Sequence, residues 1–197
     1  MPEIIHLGLM DPASIIVCLC WLIFVVVWLV SSRFVKPTAE RTSSKLRLVT
    51  IVTPFCAALL LLWRTPPGGL GTLVVRHSAA ALWLAATLTV AGLAVALWAR
   101  FTLAGNWSGA VTFKEGHELV VRGPYRHVRH PIYTGILVLL LGTAIANGRV
   151  SGFVALAMMA AGFWFKLGQE EALLCRHFPD SYPAYQARVK ALIPFLL

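Results

Sequence analysis

Apolar residues run through this chain in long blocks, not at the alternating or three-to-four spacing of a half-buried surface element. The block "IIVCLCWLIFVVVWLV" (15–30) contains no charged residue. It lies inside a stretch, 12–32, that matches the ~20 residues a helix needs to cross a bilayer. Similar blocks recur at about 46–63, 77–99, 131–146 and 150–165, the last continuing in helical pattern as far as Glu171. The pattern therefore predicts five helices. Pro54 falls inside the second and removes a backbone donor there, which predicts a kink that a membrane helix tolerates when its neighbours satisfy the freed groups. The fourth and fifth are separated only by "NGR" (147–149), a turn signal, so they are expected to form a helical hairpin. The first block is too long for the core of a signal peptide and lacks a basic segment before it, so it is read as a retained helix.

Composition agrees with a bilayer setting. Hydrophobic residues make up 58% of the 197 and charged residues only 13%, against roughly 25% charged in soluble domains. The expected fold is an all-α integral membrane protein of about five transmembrane helices, forming a single domain over 1–197. Three N-terminal spans occupy 1–100, the hairpin follows, and a cytoplasmic helical segment ends the chain.

The formal net charge of +9 changes meaning once the spans are drawn. Of the 17 Lys and Arg, fourteen lie in segments 33–47, 100–130 and 166–190; only Arg64, Arg76 and Arg149 lie on the opposite side. This is the positive-inside bias and not a nucleic-acid surface, and it predicts an outside N-terminus and a cytoplasmic C-terminus. The four cysteines form no CxxC pair, so neither a zinc site nor a disulfide framework is indicated. The "PPGGLG" stretch (66–71) follows no strand and is an external turn, not a dinucleotide fingerprint.

Three polar segments share the cytoplasmic face: "NWSGAVTFKEGHELVVRGPYRHVRHPIY" (106–133), "KLGQEEALL" (166–174) and "HFPDSYPAYQARV" (177–189). The hairpin should bring Glu170 and Glu171 close to His130 and Tyr133. Pro131 suits the first position of a helix, and it pushes His130 out of helical conformation. Arg129 and His130 then sit at a helix N-terminus, where unpaired N–H groups favour an anion, with Arg126 beside them. From the residues alone, that anion is a ligand carboxylate or phosphate, or an acidic lipid headgroup. His127 and His130 do not share a helical face across Pro131, so no metal site is expected. Glu170 either pairs with Lys166 one turn earlier or serves a ligand. Tyr125, Tyr133, Tyr182 and Tyr185 either form an interfacial belt or, with Trp107, cover a ligand.

The ordered set "GHELVVRGPYRHVRHPIYTG", "EEALLCRHF" and "YPAYQARVKALIPFL" resembles the isoprenylcysteine carboxyl methyltransferase family in its bacterial branch, over about 106–195. The resemblance implies that the segment 101–197 is a cofactor-binding catalytic part holding S-adenosyl-L-methionine at the cytoplasmic boundary of a bacterial inner membrane. Carried over residue by residue, the cofactor contacts are His117, Leu119, Val120, Tyr125, His130, Pro131, Tyr133 and Glu170. Lys166 falls where the family binds its substrate, usually with Arg; the charge is kept and the planar fork is lost. A cofactor-contacting Gln of eukaryotic members falls near Ala110 and is missing.

The implied reaction is methyl esterification of an S-isoprenylcysteine carboxylate or a similar lipophilic acceptor, with prenylated molecules and membrane lipids as partners. A carboxylate of pKa about 4 is already ionised at neutral pH and needs no general base. Catalysis then rests on alignment and exclusion of water, with Arg129 and Glu170 as candidates. Two other enzyme classes share related motifs. One is a phospholipid or other lipophilic amine N-methyltransferase, whose acceptor must lose a proton first. The other is a membrane steroid-type reductase using NADPH, with the Arg cluster on a diphosphate. A non-enzymatic transport or lipid-binding protein is the remaining class; it would favour ionisable residues inside the spans, which hold almost none.

Overall fold

The structure, a computed structural model, describes residues 11–41, 44–63, 65–107, 112–114, 116 and 118–194. Among the described residues, six α-helices carry the fold: α1 Pro12–Ser31, α2 Ser44–Leu62, α3 Ala79–Leu103, α4 Pro131–Asn147, α5 Val150–His177 and α6 Ser181–Arg188. Three helical stretches, Pro12–Phe34, Ala79–Asn106 and Val150–His177, are long and apolar enough to cross a bilayer, while Thr50–Leu62 and Pro131–Asn147 are shorter apolar helices. Large apolar side chains such as Leu22, Leu29, Phe55 and Trp164 are exposed on their outer faces. In water such a surface would be a liability; against lipid it is the expected one. These features mark an integral membrane protein.

Local signals set the helix ends. Asp11 caps α1 by accepting from the Ser14 N–H at 3.0 Å, with Pro12 in the first turn. Ser78 does the same for α3 through the Ala81 N–H at 3.2 Å. Gly148 ends α4 with a φ of 72°, a left-handed conformation that suits glycine, and α5 begins two residues later. Two elements outrun their predicted ends. α3 continues to Leu103 and α5 to His177, because the added segments contain Arg100 and Leu103, and Ala172, Leu173, Leu174 and Arg176, which are good helix formers. Two short strands depart from the all-helical expectation: Thr38–Arg41 (β1) pairs antiparallel with Thr112–Lys114 (β2), in the register Thr38 to Lys114 and Arg41 to Thr112.

The tightest packing is between α3 and α4. Ala85, Thr89, Gly92, Ala96 and Ala99 are all buried, spaced alternately by four and three residues along one face of α3. They meet Gly135, Leu139 and Gly142 of α4. A Cβ at Gly135 would lie 2.5 Å from the Ala96 amide nitrogen and 2.7 Å from the Gly92 carbonyl oxygen. Small residues thus let the two backbones touch, the usual device where lipid offers no hydrophobic drive for helix association.

Arg100 belongs to this frame and not to a loop, as its charge had suggested. It lies in the last turn of α3, 2% exposed. Its guanidinium donates to the Ser31 carbonyl at 2.7 Å and the Ala104 carbonyl at 2.9 Å, and it lies over the Trp107 ring at 4.4 Å. It therefore satisfies the exposed carbonyls at the C-terminal ends of both α1 and α3, where the helix dipoles favour a cation.

Candidate active site

α4 and α5 pack antiparallel, and their polar ends meet. Arg129 Nε donates to Glu171 Oε1 at 2.7 Å, and His130 Nε2 lies 3.1 Å from the same oxygen. Gln186 Nε2 donates to Glu171 Oε2 at 2.7 Å. The other arm of Arg129 donates to the backbone carbonyls of Gln186 and Val189. Glu170 makes a separate set: the Tyr133 hydroxyl donates to its Oε1 at 2.7 Å, Lys166 Nζ lies 3.7 Å from that oxygen, and His130 Nδ1 lies 3.6 Å from Oε2. His130 stacks parallel to Tyr133 at 5.5 Å, and Tyr133 stacks on Phe163 at 4.5 Å. Lys166 Nζ sits 5.3 Å from the Tyr133 ring centroid.

The C-terminal segment holds this cluster from the far side. The backbone N–H groups of Arg129 and His130 donate to the carbonyls of Lys190 and Ala191 at 2.8 and 2.9 Å. These are the donors that Pro131 and the start of α4 leave over. His130 itself is non-helical, with φ −123° and ψ 59°, as a residue before proline should be. Thr134 Oγ1 donates to the Leu192 carbonyl at 2.7 Å, and the Tyr185 hydroxyl to the Tyr125 carbonyl at 2.5 Å. Burial raises the Tyr125 phenol well above its ordinary value, reinforced by the Glu170 charge, and pushes Tyr185 up to about 12.

A cavity of about 530 Å³ opens beside the cluster. One end is lined by Asn106, Arg129, His130, Tyr133, Lys166 and Glu170. The rest is mostly apolar, with Trp21, Phe24 and Trp28 from α1, Pro54, Ala57 and Leu61 from α2 beside Thr50 and Thr53, Leu140 from α4, and Met159 and Phe163 from α5. Met159 precedes Glu170 by eleven residues on α5, so the apolar part runs back about 16 Å along the helix. Asn106 is buried on the cavity wall, and its Oδ1 has no partner among the described residues; a buried acceptor without a donor is costly.

The sequence-predicted residues fall into three groups. Tyr125, His130, Tyr133, Lys166 and Glu170 all line the cavity. Pro131 is buried as the first residue of α4, and Val120 packs against the cluster around Tyr125; neither they nor Leu119 line the cavity. His117 lies outside the described residues. Glu170 and Glu171 do lie beside His130 and Tyr133, as the two consecutive helices implied. The anion cradle expected at Arg129 is already filled, since Glu171 takes the Arg129 and His130 side chains and the tail carbonyls take their N–H groups. None of the four tyrosines is an exposed belt residue: Tyr125, Tyr133, Tyr182 and Tyr185 are buried. Glu171, Gln186, Asn106 and Phe163 were not singled out as site residues. Phe163 was findable, because it precedes Lys166 by three and Glu170 by seven and so shares their helical face.

The fold and cavity define a helical membrane protein with an internal site, polar where two helix ends meet and apolar along its length. Residues 80–181 match the family model described as phospholipid methyltransferase, and the chain belongs to that family. Among curated proteins it is similar to a protein-S-isoprenylcysteine O-methyltransferase of Schizosaccharomyces pombe, 37% identical over 41% of this chain and 34% of that protein. It is also similar to a probable protein-S-isoprenylcysteine O-methyltransferase of Oryza sativa subsp. indica, 30% identical over 44% of this chain and 46% of the relative. Protein-S-isoprenylcysteine O-methyltransferase B of Arabidopsis thaliana is 32% identical over 42% of this chain and 43% of its own length. The chain thus matches less than half the length of each of these relatives.

Proposed function

We propose that this chain is an S-adenosyl-L-methionine-dependent membrane methyltransferase acting on a lipophilic acceptor, of which an S-isoprenylcysteine carboxylate is the type. One observation carries the reading: a single cavity joins a charged, hydrogen-bonding end to a long apolar one. Such a cavity suits a polar cofactor meeting an amphipathic acceptor. The relatives' names give that acceptor its chemistry.

The residues present fit the cofactor. Glu170 offers a carboxylate to an ammonium or hydroxyl, Asn106 Oδ1 has no donor among the described residues, and Phe163, stacked on Tyr133, adds aromatic surface for a cationic sulfur. Held by Glu170 and Asn106, S-adenosyl-L-methionine would supply an activated methyl group on a cationic sulfur for transfer to the acceptor oxygen. The chain's own part is positional. Tyr133 and Lys166 hold Glu170. Glu171 locks Arg129 and His130, which fixes the start of α4. The apolar walls exclude water, so the developing neutralisation of charge proceeds in a low dielectric. An ionised carboxylate acceptor needs no base. Lys166 is the residue we assign to it.

In this reading all five apolar helices span the bilayer and α4 and α5 form the hairpin. The N-terminus is outside, and the site faces the cytoplasm of a bacterial cell. The segment 101–197 holds the cofactor, and 1–100 supplies the remaining walls. The test is binding in detergent or nanodiscs. S-Adenosylhomocysteine is expected to bind and reduced nicotinamide cofactor not to; the reverse result would overturn the proposal. Turnover against pH separates acceptors: a carboxylate gives a flat profile above about pH 6, whereas an amine gives a rate that climbs through the amine pKa.

A further inference from the structure

We infer that Trp21 is the specificity-determining floor of the cavity's apolar arm and sets the length of hydrocarbon chain that the acceptor carries. The inference rests on the methyltransferase reading for the identity of the acceptor, but not for the geometry. Trp21 lines the cavity from α1, and its Nε1 donates to Thr143 Oγ1 of α4 at 2.9 Å. Thr143 lies three residues beyond Leu140, on the side away from His130. The indole therefore reaches across from α1 to α4 just past the last α4 residue of the lining, Leu140. Below it the helices are tied again, by Asn147 Nδ2 donating to the Leu61 carbonyl at 3.3 Å. From the Glu170 level to Met159 at this floor, the arm is about 16 Å long, close to one leaflet of a hydrocarbon core about 30 Å thick.

The family match begins at residue 80, so Trp21 and the α2 wall precede it, whereas Leu140, Met159 and Phe163 of the same apolar arm lie within it. Affinity rises steeply with each CH₂ that is buried. A floor moved by one aromatic ring should thus alter selectivity strongly.

The experiment measures binding of S-geranyl, S-farnesyl and S-geranylgeranyl N-acetylcysteine to purified protein in nanodiscs, for the wild type and Trp21→Ala, with S-adenosylhomocysteine binding followed in parallel. Trp21→Ala is expected to shift preference toward the longest chain, changing the affinity ratio of the longest to the shortest at least tenfold (~1.4 kcal/mol). Trp21→Phe keeps most of the bulk and loses the hydrogen bond, so it is expected to shift the ratio less. Met159→Phe raises the same floor and is expected to shift preference the other way; it serves as the test should Trp21→Ala fail to fold. An unchanged length profile in a variant that still binds S-adenosylhomocysteine overturns the inference. So does a wild type that binds none of the three while binding S-adenosylhomocysteine. A normal length-dependent binding profile without methyl transfer would instead strike the proposed reaction and leave the floor standing.

Discussion

Adjacent carboxylates at one helix end invite a single role, but the two glutamates divide the work. Glu171 does not line the cavity and is engaged by Arg129, His130 and Gln186. Glu170 lines the cavity and is held by Tyr133 and Lys166. Removing one partner of a buried ion pair strands the other, at about 3–5 kcal/mol. Glu171→Gln is therefore expected to lower stability by about that amount in chemical unfolding. The fraction that remains folded should keep near-normal S-adenosylhomocysteine affinity. Glu170→Gln and His130→Ala are expected to weaken that affinity tenfold or more (~1.4 kcal/mol), with Glu170→Gln near wild-type in stability. Wild-type affinity in both would place the cofactor elsewhere. The sequence showed that these groups would meet, because two apolar blocks joined by three residues must return the chain to its starting level. The resemblance chose Glu170 of the two, but spacing alone did not show which glutamate faces the cavity, since a rotation of about 100° between neighbours on a helix is decided by packing. Nor did it show that Glu171 would use up Arg129, because hydrogen-bonding demand at a helix start is legible but the partner that meets it is remote in sequence.

At the scale of elements, α3 against α4 is the contact with least room. Gly135→Ala would place a methyl against the Ala96 nitrogen and Gly92 oxygen, both backbone atoms that cannot swing aside. Overpacking of this kind costs about 1–3 kcal/mol, and a lowered Tm in detergent is the expected reading. A Tm equal to wild type would mean that the helices separate freely at that point. The stripe from Ala85 to Ala99 was in the sequence, but hydropathy marks a span and not the face that packs. Arg100 misled for a related reason: a cation at the end of an apolar block reads as the start of a loop, whereas its long side chain lets the charge serve carbonyls while the backbone stays helical. The tail adds a pH dependence. Tyr185 is buried and its phenol is raised to about 12, while an unfolded tyrosine ionises near pH 10. The unfolded chain thus gains by losing this proton first. The stability Tyr185 contributes is fully present below about pH 10 and declines as pH rises through about 12. Tyr185→Phe is expected to flatten that decline in alkaline unfolding.

For the whole molecule, the site works only if its charged end opens on the side where the cofactor is made. That is a statement about orientation, which the charge distribution argues on its own. Cations flanking the apolar blocks favour the cytoplasm, and the excess persists when buried Arg100 and the site residues Arg129 and Lys166 are set aside. In the proposed orientation, the short 3-10 turn at Gly68–Gly71 between α2 and α3 and the exposed Asp180 before α6 are expected on opposite faces of the bilayer. With the four native cysteines replaced by Ala, Gly69→Cys should react with a membrane-impermeant maleimide in intact spheroplasts. Asp180→Cys should react only after permeabilisation. The opposite pattern would place the cavity's charged end outside, away from any cytoplasmic pool of S-adenosyl-L-methionine. Labelling of both positions from one side would mean that an even number of crossings separates them. Of the three helices between those positions, α3 and α5 are long enough to cross by themselves, while α4 is 17 residues. The experiment is therefore chiefly a measurement on α4: whether a short helix, held tightly to α3 along its glycines, spans by local thinning of the bilayer.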